Sequence, residues 1–387
     1  MAGQKAKRKG RLYSAASVLL FAALVINMGY YVSSRLSDVL INTAMFAVSL
    51  NMTGDLVLSA EKQFNSEIFA DGEKASTVDN PATYTNNSED NPPAESTAPD
   101  DVPAAPAGEP SSAVMPDIPI ANQGTLIQST YTAAAGGVYV QFGSGLIKNT
   151  TKLANSKLEA ELAKPLEMRL KTTDQPQVLI VHTHATESFE PYDRPIFDTT
   201  DTWRNTDITQ NMVAVGEALK DELAKAGIVA INDATLNDYP SYNGAYDRSA
   251  AVIKKYLQQY PTIQVVLDVH RDAIEPQEGT IVKPVATIGG KKAAQLMIIS
   301  GCDDGTMNMP NWPSNFRFAA ALQSAVEADY PTLTRPVLFC YRKYNQDLSK
   351  GALLLEFGSN ANTLDEAKYS ASLVGQAMGK LLNAIEN

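Results

Sequence analysis

Short hydrophobic runs recur from about residue 138 to the end of the chain, each bounded by Gly, Pro, Asn, Asp or a charge. They are VYVQF (138–142), QVLIVHTH (177–184), GIVAIN (227–232), IQVVLDVHRDA (263–273), AQLMIISG (294–301), PVLFCYR (336–342) and GALLLEFGS (351–359). Most are β-branched and continuous, the pattern of strands buried on both faces. Between them, apolar positions return at helical spacing. NMVAVGEALKDELAKAG stops at Gly227, AYDRSAAVIKKYLQQYP at Pro261 and NFRFAAALQSAVEADYP at Pro331, while TLDEAKYSASLVGQAMGKLLNAI opens with Thr363 three residues before Glu366, a capping box. Strands alternating with helices predict an α/β fold over residues 120–387, a mostly parallel twisted sheet flanked by helices. Ligands of such sheets bind beyond the carboxyl ends of the strands.

The first third follows other patterns. Residues 12–32 (LYSAASVLLFAALVINMGYYV) carry no charge, and at about 1.5 Å rise per residue they span roughly 30 Å of hydrocarbon. Lys5, Lys7, Arg8, Lys9 and Arg11 precede them in segment 1–11. This order predicts an uncleaved signal anchor with residues 1–11 in the cytoplasm and everything after residue 33 outside it. Residues 33–69 are too polar for a second span and are read as a juxtamembrane segment. Nine of the 21 prolines then fall between Pro81 and Pro119, and residues 66–117 hold eleven acids against one lysine. Such a stretch cannot build a core, so residues 70–119 are expected to form a disordered, extended tether.

Composition narrows the chemistry. The formal charge of −11, from 32 basic and 43 acidic residues, argues against a nucleic-acid binder. Much of the acidic excess sits in the tether, so it says little about the substrate. Two cysteines, Cys302 and Cys340, exclude a disulfide scaffold and a Cys-rich zinc module. They either pair outside the cytoplasm or serve as packing thiols. The whole chain has three histidines, His182, His184 and His270.

All three histidines fall at strand ends. VLIV exits into His182, His184 and Glu187; VVLDV exits into His270, Arg271 and Asp272; ALLL exits into Glu356. Neutral imidazoles plus a carboxylate, with one position left for water, are the donor set of a catalytic zinc site, and a nearby Glu can take the water's proton. His184 and Glu187 form H-x-x-E, and His270 arrives from a distant strand as a third ligand. His182 stands either as a ligand in place of His184 or as a hydrogen-bonded residue behind the ligands. Asp268, two residues before His270, either orients that imidazole or is buried as a cap. Arg271 is open to two readings, a clamp for a substrate carboxylate or a salt bridge at the strand end. Tyr239, Tyr242 and Tyr246 share a loop with Asn243 and either stack on sugar or simply face solvent.

HTHATESF, LDVHRDA and LLLEFGSNANTLDEA resemble, in order, three signature segments of the stage II sporulation protein P family, membrane-anchored cell-wall hydrolases of endospore-forming bacteria. The resemblance covers roughly residues 137–387 together with the anchor and tether. It implies a fold similar to zinc N-acetylmuramoyl-L-alanine amidases and cleavage of the amide between the glycan lactyl group and the stem peptide, with added endopeptidase activity. It implies Zn2+ as cofactor, peptidoglycan as substrate, and stage II sporulation proteins D and M as partners. His184 and His270 take the places of the ligand histidines and Glu356 that of the catalytic glutamate. The carboxylate ligand of the general amidases sits at the start of the first long helix, where this chain has Asn205, Asp207 and Asn211, so Glu187 is assigned instead. Two other functions fit the residues: a zinc carboxypeptidase-like enzyme trimming stem peptides, and a non-catalytic wall-binding module with an incomplete ligand set.

Overall fold

In a computed structural model, which describes residues 115–132, 136–170 and 173–385, all seven hydrophobic runs become strands of one sheet. The expected cytoplasmic segment (1–11), signal anchor (12–32), juxtamembrane segment (33–69) and all of the tether up to residue 114 lie outside the described residues. No helix among the described residues is long and apolar enough to cross a membrane.

The strands are β1 (Gln123–Ser129), β2 (Tyr139–Phe142), β3 (Gly145–Asn149), β4 (Val178–Val181), β5 (Ile196–Asp198), β6 (Ala230–Asn232), β7 (Val265–Asp272), β8 (Thr280–Ile288), β9 (Lys291–Ala294), β10 (Leu296–Gly301), β11 (Val337–Cys340) and β12 (Ala352–Ser359). The helices are α1 (Asn155–Leu162), α2 (Met212–Lys225), α3 (Ala245–Gln259), α4 (Trp312–Asp329) and α5 (Leu364–Ala384). The expected capping box opens α5: Thr363 accepts from Glu366 N, and the Glu366 carboxylate accepts from Thr363 N.

The larger sheet has the order β2-β3-β11-β10-β12-β7-β4-β6 and is mixed, which corrects the expected mostly parallel arrangement. β10 runs antiparallel to β12, and β2 antiparallel to β3. Residues 143–144 join β2 to β3, with Gly143 at φ 56, and so short a link permits only a hairpin. β10 enters reversed after the chain has left β7 for a second sheet, β5-β1-β8-β9, and returned. That second sheet has no counterpart among the sequence expectations. Its strand β8 is interrupted in pattern by Lys283 and Pro284, yet Lys283 is fully buried, 2.9 Å from Asp193 and 3.2 Å from Glu366.

The two faces of the larger sheet are unequally covered. Val178, Ile180, Val265, Leu267, Val269, Leu353, Leu355 and Phe357 enter the main core, against Met212, Val215 and Leu219 of α2, Phe316 and Phe318 of α4 and Leu373 and Val374 of α5. The alternate residues Leu179, Val181, Val266 and Ala352 belong to a smaller cluster with Ile253 of α3 and Ile263, and Leu354 to another with Met297, Ile299 and Leu338. Cys302, just past β10, and Cys340, the last residue of β11, are free thiols, joined by the Cys302 N–H donating to Cys340 O at 2.8 Å.

Candidate active site

β12, β7 and β4 are consecutive parallel neighbours, so their carboxyl ends reach one edge of the sheet. Side chains alternate along a strand. With Leu267 and Val269 in the main core, Asp268 and His270 take the thinly covered face of β7. Glu356, between Leu355 and Phe357, takes the same face of β12 and is the register partner of His270. β4 ends at Val181, and the segment after it turns back over the edge, the Glu187 N–H donating to His184 O at 3.1 Å.

These folds bring His184, Glu187, His270 and Glu356 together. The His184 and His270 rings lie edge to face with centroids 5.3 Å apart. Glu187 Oε2 is 3.6 Å from His270 Nδ1 and accepts from the Arg271 N–H at 3.2 Å. On the other side of the His270 ring, Asp268 Oδ1 is 2.8 Å from Nε2, although without hydrogen-bond alignment. Thr183 holds that carboxylate, donating from N to Oδ1 at 2.8 Å and from Oγ1 to Oδ2 at 2.6 Å. His184 Nδ1 and Glu356 Oε2 are buried with no hydrogen-bond partner. Buried polar atoms are rarely left so, and each is a place to ask what ligand is missing.

Burial dominates the electrostatics. It lowers His184 to about 4, so this imidazole is neutral at pH 7. Burial also opposes charge on His270, but Asp268 and Glu187 on either side outweigh it and raise its pKa well above the ordinary value. For Glu187, burial is outweighed by Arg271 and His270, which hold the carboxylate far below its usual range. Glu356 is raised to about 8 by burial, with Asp272 alongside adding to it.

Two expected site residues sit elsewhere. His182 has the parity of Val178 and Ile180, so its ring turns toward the main core: Nδ1 is 3.1 Å from Val269 O, Nε2 is 2.9 Å from Asn232 Oδ1, and the ring lies against Gly216 of α2. Both nitrogens are thereby engaged, and His182 does not join the metal-donor group it was assigned to. Arg271 is buried, and its guanidinium donates to the carbonyls of Ser188, Asp272 and Trp203, which ties the segment after β4 to β7 in place of clamping a substrate. Asp207 is exposed and accepts from Thr209, and Asn211 caps α2. Tyr246 is in α3, not in a loop, and Tyr242 stacks on His184 itself, 4.5 Å between centroids and 7° between planes. Arg204, Asp238 and the Asp272–Arg335 ion pair (2.8 Å) went unnoticed in the sequence, since isolated charges in polar loops carry no periodic signal.

Solved structures similar to this chain include the N-acetylmuramoyl-L-alanine amidase AmiC2 of Nostoc punctiforme, with a TM-score of 0.32 and 11% identity over 54% of this chain and 96% of that one. Another is the CwlD amidase from Clostridioides difficile in complex with the GerS lipoprotein, with a TM-score of 0.34 and 12% identity over 54% and 99%. Stage II sporulation protein P of Bacillus subtilis (strain 168) is 29% identical over 244 residues, covering 60% of this chain and 58% of that relative's length. The family model of stage II sporulation protein P (SpoIIP) matches residues 52–379, most of the sequence, and the chain belongs to that family.

Proposed function

We propose that the chain is a zinc-dependent peptidoglycan hydrolase that cleaves the N-acetylmuramoyl-L-alanine amide. One observation carries this reading: at adjoining strand ends, a neutral imidazole and a carboxyl group each bury a polar atom without a partner, beside a second imidazole flanked by carboxylates. Family membership supports it.

Among the described residues, no three His, Cys, Asp or Glu side chains are already gathered closely enough to hold a metal ion. The donors nevertheless fit zinc in kind. Glu187 Oε2 and His270 Nδ1 are 3.6 Å apart, against about 3.3 Å for two ligands of one tetrahedral zinc at about 2.0–2.1 Å. His184, Glu187 and His270 would hold the ion. Bound there, zinc acidifies a water and polarises the scissile carbonyl. Asp268 orients His270 by facing Nε2, so that Nδ1 points to Glu187. With zinc held beside it, Glu356 would receive a proton from the attacking water at its unpartnered Oε2 and pass it to the departing amide nitrogen.

The reading extends to a cell-membrane anchor at residues 12–32, with the catalytic domain outside the cytoplasm, and to stage II sporulation proteins D and M as partners. Deleting residues 1–35 is expected to release the protein from membranes with hydrolysis intact. The central test is mass analysis of muropeptides released by the zinc-loaded full chain. Free stem peptides beginning with L-alanine are expected; products cut only within the peptide would favour the peptidase reading, and no product would favour a wall-binding module.

A further inference from the structure

A ligating histidine is usually oriented by a hydrogen bond from its other ring nitrogen. His270 has Asp268 beside its Nε2 at 2.8 Å, although without hydrogen-bond alignment, whereas among the described residues no carboxylate pairs with either nitrogen of His184, whose buried Nδ1 is left open to the missing ligand. Rings surround His184 instead. Tyr242 lies parallel to it at 4.5 Å, while Tyr246 and His270 meet it edge-on at 5.6 Å and 5.3 Å. The Arg204 guanidinium packs 5.3 Å from the Tyr242 centroid and is itself held, with Nη1 2.8 Å from Asp238 Oδ2 and Nη2 3.8 Å from Glu187 Oε1. Asp238 accepts from Thr186 N and Oγ1 at 3.1 Å and 2.6 Å, so the clamp closes on the turn that carries His184 and Glu187. Arg248 fastens the Tyr242 loop by donating to the carbonyls of Asn237, Ser241 and Asn243.

We infer that Tyr242 is a positioning residue: its stack, with Arg204 against it, does for His184 what a hydrogen bond does for other ligands, fixing the ring plane and the direction in which a nitrogen meets the metal. This rests on the zinc reading of the site. It also gives Tyr242 a task other than a platform for sugar. Phenylalanine would keep the stack, and an aliphatic side chain would lose it.

The test is competition titration of Zn2+ against a chelator, with Co2+ absorption spectra, on the full chain as wild type, Tyr242→Phe and Tyr242→Leu. Loss of an orienting partner typically costs about 10- to 100-fold in metal affinity, and that is the loss expected for Tyr242→Leu, together with an altered Co2+ spectrum. Tyr242→Phe, which keeps the ring over His184, is expected to retain the affinity that Tyr242→Leu loses. Tyr242 is 42% exposed, so its replacement leaves the core intact; should Tyr242→Leu not fold, Tyr242→Ser, which also removes the ring, carries the same expectation. A lowered melting temperature with zinc affinity and Co2+ spectrum unchanged would overturn this role alone. A wild-type chain that takes up no zinc would overturn the metal reading and this role with it.

Discussion

Glu356 and His270 are direct register partners across the β12–β7 pair, both on the thinly covered face of the sheet. The relationship places a proton-carrying carboxyl beside an imidazole and makes their roles separable. Glu356→Gln keeps shape and removes the proton acceptor, so turnover is expected to fall by about 10²- to 10⁴-fold while zinc stays bound. His270→Ala is expected to lose both metal and turnover. Zinc content and muropeptide release measured on the same preparations decide it, and a zinc-loaded Glu356→Gln chain with near wild-type rate would refute the assignment.

Glu356 also makes a prediction about stability in the metal-free chain. Its carboxyl is raised from an ordinary 4.5 to about 8 by burial and by Asp272. The folded state therefore keeps a proton that the unfolded state gives up near 4.5. Stability from this group is fully present below that pH and declines as pH rises toward 8. Glutamine does not titrate, so Glu356→Gln should match wild type near pH 4 and melt higher than wild type near pH 9. Parallel melting curves across the range would contradict the buried carboxyl.

Asp268 faces His270 Nε2 and is itself fixed by two hydrogen bonds from Thr183. Asp268→Asn keeps the shape and removes the charge. Zinc affinity is expected to drop by about 10- to 100-fold, measured by chelator competition; unchanged affinity would mean that Asp268 merely caps the Thr183 turn.

Gly216 offers a control on the other face. A Cβ there would come within 2.7 Å of the His182 ring and 2.5 Å of Asn232 Oδ1. Overpacking of this kind costs about 1–3 kcal/mol, so Gly216→Ala should lower the melting temperature with zinc uptake unchanged. Loss of zinc in proportion to stability would instead link His182 to the metal.

Much of this architecture was legible because buried strands and capped helices write periodic signals. VVLDV and ALLL announced β7 and β12, and Thr363 with Glu366 announced α5. Strand direction left no mark: AQLMIISG has the same composition whether β10 lies parallel or antiparallel to β12. The second sheet was hidden because Lys283 and Pro284 break the apolar run of β8, and because the ion partners that let Lys283 be buried are distant in sequence. Counting from Val178 and Ile180 could not separate the histidines, since His182 and His184 have equal parity; they part only because β4 ends at Val181 and the chain then turns, leaving His182 on the main core and carrying His184 over the edge. The clamp of Arg204 and Asp238 on the His184 turn was beyond such counting, because three separate loops build it.

The unequal covering of the sheet has a genetic consequence. Within the single strand β7, neighbouring codons belong to different classes of mutant. Lesions at Leu267 or Val269 open the main core and should behave as temperature-sensitive alleles, rescued at low growth temperature and by second-site changes that restore packing. Lesions at His270 fall on the other face, where a metal donor and not an apolar contact is lost, and should accumulate as nulls that no temperature shift rescues. A collection of alleles sorted by phenotype would thus trace the alternation of the strand residue by residue.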